Sequence, residues 1–161
     1  MINRLLKALH EVGAVGVMGS LATVLLLSST APTDSLAGYA AVRRGIALIS
    51  QWLLVPSLGL TLVSGLLAIA ATPAYQNAAW AWVKALFGIG MFEGILVTVG
   101  GSARRAADLS ALAAAGQGDP ALLAQVLRTE RGALWLMLSL SLLNIILAVW
   151  RPRLFPRSVG G

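Results

Sequence analysis

The chain has 161 residues, of which 58% are hydrophobic and only 11% charged; its mean hydropathy is +0.83 and its formal net charge +6. A water-soluble domain carries about a quarter of its residues as charged groups, so this composition excludes an ordinary wetted surface and points to one compact domain dissolved in lipid. With no cysteine, disulfides, thiolate chemistry and cysteine-bound metals are excluded, and the single histidine, His10, cannot build a zinc site by itself.

Four apolar stretches are long enough to cross a bilayer as helices, which makes the expected fold all-α, a four-transmembrane-helix bundle. The first runs from about Leu9 to Ser28 behind Arg4 and Lys7. A basic start before an apolar run also describes a signal peptide. This run, however, exceeds the usual ~7–15-residue apolar region, and no small-x-small cleavage site follows it, so an uncleaved first span is expected. Ala31-Pro32-Thr33-Asp34 reads as a turn.

The second span starts after Arg43-Arg44 and extends from about Gly45 to Ala71, longer than the ~20 residues a crossing needs, so tilt or projection is expected. Pro56 near its middle removes one backbone donor and predicts a kink. A short uncharged loop follows, and Tyr75, Trp80 and Trp82 suit an aromatic belt at the water interface. The third span covers about Ala79 to Val99, and the fourth about Gly132 to Trp150, stopped by Arg151-Pro152-Arg153.

Between the last two spans, residues 100–131 contain two helical stretches. Gly116-Gln117-Gly118 breaks the first; Asp119 suits an N-cap and Pro120 the first helical position of the second. Spans three and four are therefore expected to continue past the bilayer as a helical hairpin, with Leu109 and Leu112 packing on Leu122 and Val126.

Most basic residues flank the apolar blocks, which favours contact with lipid head groups over nucleic acid. Four spans place both termini on one side, and the count of basic residues on the two sides is close to a tie. Short flanks alone tip the balance to cytoplasmic termini in a bacterial inner membrane.

An ionisable side chain inside the bilayer costs at least ~2.5–3.5 kcal/mol on insertion scales, so each such residue needs a reason. His10, Glu11 and Lys84 fall at a similar shallow depth near helix ends, and Asn144 lies within roughly 10 Å of the same layer at the helical rise. Two arrangements suit them: a polar cluster of the four, or Glu11 and Lys84 snorkelling to the interface while His10 bonds a carbonyl. Glu93 lies well inside span three and on the opposite helix face from Lys84, so these two cannot pair within one helix. Either its carboxyl is neutral or it finds a partner on another helix, with Ser57, Ser139 and Ser141 at suitable depth.

Small residues recur along the spans: Gly13, Gly16, Gly19 and Ser20 in the first, Ser64-Gly65 in the second, Gly90 and Gly94 around Glu93 in the third. Such positions let helix backbones approach closely, or make room for a flat ligand such as a haem. No two-histidine metal motif, Cys–His pair or strand-borne phosphate loop is present.

Leu6-Lys7-Ala8-Leu9-His10 with Gly13 and Gly19, Pro56 through Ser64-Gly65-Leu66-Leu67, Trp82-Val83-Lys84, and the Arg151-Pro152 exit together resemble a family of small bacterial integral membrane proteins, the domain of unknown function 2269. That family is distantly similar to copper-resistance D-type membrane proteins. The resemblance implies four-helix units and makes His10 a candidate haem or copper ligand. This chain departs from a complete site: it has no second histidine, and Met18, Met91 and Met137 are scattered.

The expected function is that of a non-enzymatic accessory or scaffold subunit, working with a membrane-protein partner or as a homo-oligomer. Ion or small-solute transport through Glu93, and haem or copper binding through His10, are the alternatives.

Overall fold

The computed structural model describes residues 1–150 and the side chains of residues 1–146. Four long helices carry the chain: α1 (Ile2–Thr30), α2 (Leu36–Ala71), α3 (Ala79–Ala114) and α4 (Pro120–Trp150), with one helical turn, Pro73–Gln76, before α3. Among the described residues, α1, α2 and α3 are long and apolar enough to cross a membrane. Only 28%, 22% and 22% of their most apolar stretches are buried inside the molecule. Helices apolar on every face yet largely uncovered are consistent with an integral membrane protein. The end of the expected fourth span, at Arg151-Pro152-Arg153, lies outside the described residues.

The buried positions recur every three or four residues. On α2 they are Arg43, Ile46, Ser50, Leu54 and Leu58; on α3, Met91, Ile95, Val99, Ala103 and Ala106; on α4, Val126, Glu130, Leu134, Met137 and Ser141. Steps of three and four residues keep one face of each helix turned to its neighbours. Val17, Leu21 and Val24 of α1 complete a core to which all four helices contribute.

Helix α2 begins nine residues earlier than the sequence reading places it. Ser35 caps it, accepting a hydrogen bond from the Gly38 N–H at 3.1 Å, and the helix then runs through Arg43 and Arg44 without interruption. Its first part, Leu36–Ile49, packs on Gly101–Ala114 of α3, and its second part, Val55–Ala71, packs on α1.

The kink expected at Pro56 takes the form of a π-helical turn. Residues Ser50–Leu54 widen so that the Val55 N–H reaches the Ser50 carbonyl, five residues back. The proline ring would otherwise collide with a carbonyl one turn earlier, and the wider turn relieves that contact. A second π segment, Ile95–Gly100, lies against the first. There no proline is involved; Thr98 Oγ1 donates to the Gly94 carbonyl and competes with the backbone ladder.

The reversal between α3 and α4 follows the expected chemistry. Gly116 adopts φ 76°, a conformation glycine takes without steric cost, and the Gln117 N–H bonds the Leu112 carbonyl at 2.9 Å. Asp119 Oδ1 accepts the N–H groups of Ala121 (2.9 Å) and Leu122 (3.2 Å) and so caps α4. The packing of this region differs from expectation. Val126 is buried, but Leu112 is exposed, and the inward face of α3 here is Ala103, Ala106 and Ser110, turned to the uncounted first part of α2. Small side chains let these two helices close up, which leucine would prevent.

Candidate functional site

The most polar point of the interior is one that sequence reasoning missed. Arg43 Nη2 and Glu130 Oε2 form an ion pair at 2.5 Å with both side chains almost completely buried. Arg43 Nη1 also donates to Ser28 Oγ at 3.2 Å, so one guanidinium ties α1, α2 and α4 together. Arg43 belongs to the inward face of α2 and is buried, which corrects its reading as a flanking charge in contact with lipid head groups. Arg43 Nε and Glu130 Oε1 have no hydrogen-bond partner among the described residues. Beside them a cavity of about 40 Å³ is lined by Ser28, Tyr39, Arg43, Glu130 and Arg131 among others. A polar space of that size suits an internal water, which would satisfy the remaining lone pair and N–H.

His10 takes the arrangement in which it bonds a carbonyl. Its Nδ1 lies 2.8 Å from the Thr61 carbonyl of α2, where only an Nδ1–H can donate, and its ring rests on Gly65. A Cβ at Gly65 would come within 3.2 Å of the imidazole Nδ1 and Cε1, so the missing side chain is what seats the ring. Glu11 is exposed, Lys84 is half-buried on α3, and Asn144 is half-buried with Oδ1 enclosed and unpartnered among the described residues. No hydrogen bond joins His10, Glu11 and Asn144 to one another.

Glu93 sits on the exposed side of α3, among the exposed side chains of Leu86, Ile89, Leu96 and Val97. It makes no hydrogen bond or ion pair with any described residue, and its three expected serine partners are engaged or turned elsewhere. Ser57 lies against Gly13 and Gly16 of α1, Ser139 Oγ donates to the Trp135 carbonyl at 2.9 Å, and Ser141 is buried. The reason is the buried register of α3: Met91 and Ile95 face inward, which turns the residue midway between them outward.

The glycines divide in the same way. A Cβ on Gly13 would come within 2.8 Å of the Ser57 carbonyl and the Thr61 N, so α1 and α2 touch backbone to backbone there. Gly94 receives the Met137 side chain of α4. Gly19 and Gly90 have nothing within 4 Å and lie on open faces. At the opposite end of the bundle Tyr75 and Trp80 meet edge to face at 5.8 Å, and Trp82 Nε1 donates to the Gln76 carbonyl at 2.9 Å.

Among the described residues no group of three or more His, Cys, Asp or Glu side chains could hold a metal ion. No protein-family model, curated protein or solved structure matches the chain.

Proposed function

We propose that this chain is a four-helix bundle of the bacterial inner membrane, with α3 and α4 projecting beyond the bilayer as a hairpin, and that it serves as a non-enzymatic accessory or scaffold subunit. It works beside another membrane protein or as a homo-oligomer. The observation that carries this reading is the outward exposure of Glu93 within an apolar helix face. A carboxyl turned to lipid is penalised by ~2.5–3.5 kcal/mol or more on insertion scales, and a donor on a neighbouring helix removes much of that cost. Transport through the bundle interior draws no support from Glu93, because that side chain points away from it. The test is the mass of the protein extracted in a mild detergent. Wild type is expected to run as an assembly that Glu93→Leu weakens; a wild-type monomer at every lipid-to-protein ratio removes the proposal.

A second reading, binding of haem or copper by His10, rests on one specific feature. An imidazole whose Nδ1–H is held by a carbonyl leaves Nε2 as the ligating nitrogen, the arrangement common to metal-bound histidines. A second ligand would come from a methionine, Lys84 or His10 of another copy. The visible spectrum of the purified protein decides it: an absorption band lost in His10→Ala supports the reading, and a colourless, metal-free sample ends it.

A further inference from the structure

Between the Val97–Arg105 stretch of α3 and the Leu122–Thr129 stretch of α4 lies an open groove of about 400 Å³. We infer that it binds an anionic glycerophospholipid, with an acyl chain along Val97 and the phosphate at Arg105. The inference requires only that the apolar part of α3 lies in a bilayer, and does not depend on the accessory-subunit reading.

The groove exists because of residue size. Gly101 forms part of its floor, and a Cβ there would meet no side chain at all, only the Leu96 carbonyl of its own helix at 4.0 Å. Ser102 beside it is short, so neither residue fills the space that α4 leaves open over this part of α3. The opposite wall is Gln125, Val126 and Thr129.

Its α3 wall is apolar at one end and cationic at the other, while Leu122 and Val126 of α4 extend apolar surface beside the cation. Val97 is 68% exposed and belongs to the apolar stretch that ends just before Gly101. Arg105 lies eight residues further, about 12 Å along the axis at the helical rise. Ser102, Gln125 and Thr129 add hydrogen-bonding side chains to the lining. An apolar end within the membrane and a cation about 12 Å beyond it match the order of acyl chain, glycerol and phosphate in one lipid molecule.

The charge is uncompensated. No acidic residue lines the groove, and Arg105 makes no ion pair or hydrogen bond with a described residue. The nearby carboxylate in the interior, Glu130, is already taken by Arg43. Arg104, Arg128 and Arg131 are exposed on the same two helices and outnumber the exposed Asp108 and Asp119, so the local potential stays positive. A zwitterionic headgroup brings its own cation and gains less here, so a net negative headgroup is the preferred occupant.

Native mass spectrometry of the full chain in mild detergent, with phosphatidylglycerol or phosphatidylcholine added, tests this. Wild type is expected to retain phosphatidylglycerol in preference to phosphatidylcholine. Arg105→Gln should lower phosphatidylglycerol occupancy about fivefold, the factor for one basic residue at an anionic surface. Gly101→Met should reduce binding of both lipids by filling the floor. Arg44→Gln, an exposed arginine of α2 outside the groove, should behave as wild type. Equal retention of the two lipids by wild type, an unchanged Arg105→Gln, or displacement of the lipid by excess inorganic phosphate would each overturn the inference. The same spectra report the protein's oligomeric mass, so a monomer with bound phosphatidylglycerol upholds this site while removing the homo-oligomer reading.

Discussion

Arg43 and Glu130 are 87 residues apart in sequence and meet at 2.5 Å where α1, α2 and α4 converge. An exposed pair of this kind contributes little, because water screens it and two long side chains lose freedom. Here both members are almost wholly buried, so the dominant energy is the cost of leaving one without the other.

Breaking the pair from either side is therefore expected to destabilise the bundle by about 3–5 kcal/mol, while replacing both members by apolar residues should be neutral or stabilising. Arg43→Met and Glu130→Leu should each lower the thermal midpoint followed by circular dichroism in detergent. The double variant should recover most of the loss. Three variants with the same midpoint as wild type would show that the pair does not set the register of α2 against α4.

Identical substitutions at two glycines of α1 should have opposite effects. Gly13→Ala drives a methyl group into the Ser57 carbonyl and the Thr61 N, where backbone must move, and overpacking of this kind costs about 1–3 kcal/mol. Gly19→Ala meets nothing within 4 Å and removes backbone freedom from the unfolded chain, a gain of up to about 1 kcal/mol. Thermal midpoints in one detergent compare them directly; a Gly13→Ala midpoint at or above wild type would contradict the close α1–α2 contact.

Apolar runs as long as Leu9–Ser28 and Ala79–Val99 are legible because a bilayer dictates their length, and Gly116, Asp119 and Pro120 are legible because turn and cap chemistry is local. Partners are less so. Arg43 looks like a head-group anchor beside Arg44 until the bundle places its carboxylate partner 87 residues away. Its inward position could have been suspected from the seven-residue steps joining Arg43 to Ser50 and Ser50 to Ser57, had the helix been carried back to Ser35. For Glu93, depth follows from counting residues, but the face follows only from which of its neighbours, here Met91 and Ile95, the other helices cover.

The seat of His10 on Gly65 makes the two residues energetically dependent. Gly65→Ala pushes a methyl group to 3.2 Å from the imidazole, so its cost should largely disappear once His10 is alanine. His10→Ala alone forfeits the hydrogen bond to the Thr61 carbonyl, worth about 0.5–1.5 kcal/mol. A double-mutant cycle of thermal unfolding should show coupling of at least ~0.5 kcal/mol. Additive effects would mean that the ring does not rest on Gly65.

Glu93 separates the stability of the bundle from its assembly. It touches no described residue through a hydrogen bond or ion pair, so Glu93→Leu and Glu93→Gln should leave the unfolding of the isolated chain unchanged or shifted slightly upward. If a neighbouring helix supplies a donor to this carboxyl, the leucine variant should lose associated mass in mild detergent, and glutamine, which can still accept a hydrogen bond, should keep more of it. Loss of folding in both variants would instead place Glu93 in the structure of the single bundle. Equal loss of association in both would make its charge, and not its hydrogen-bonding capacity, the feature a partner reads.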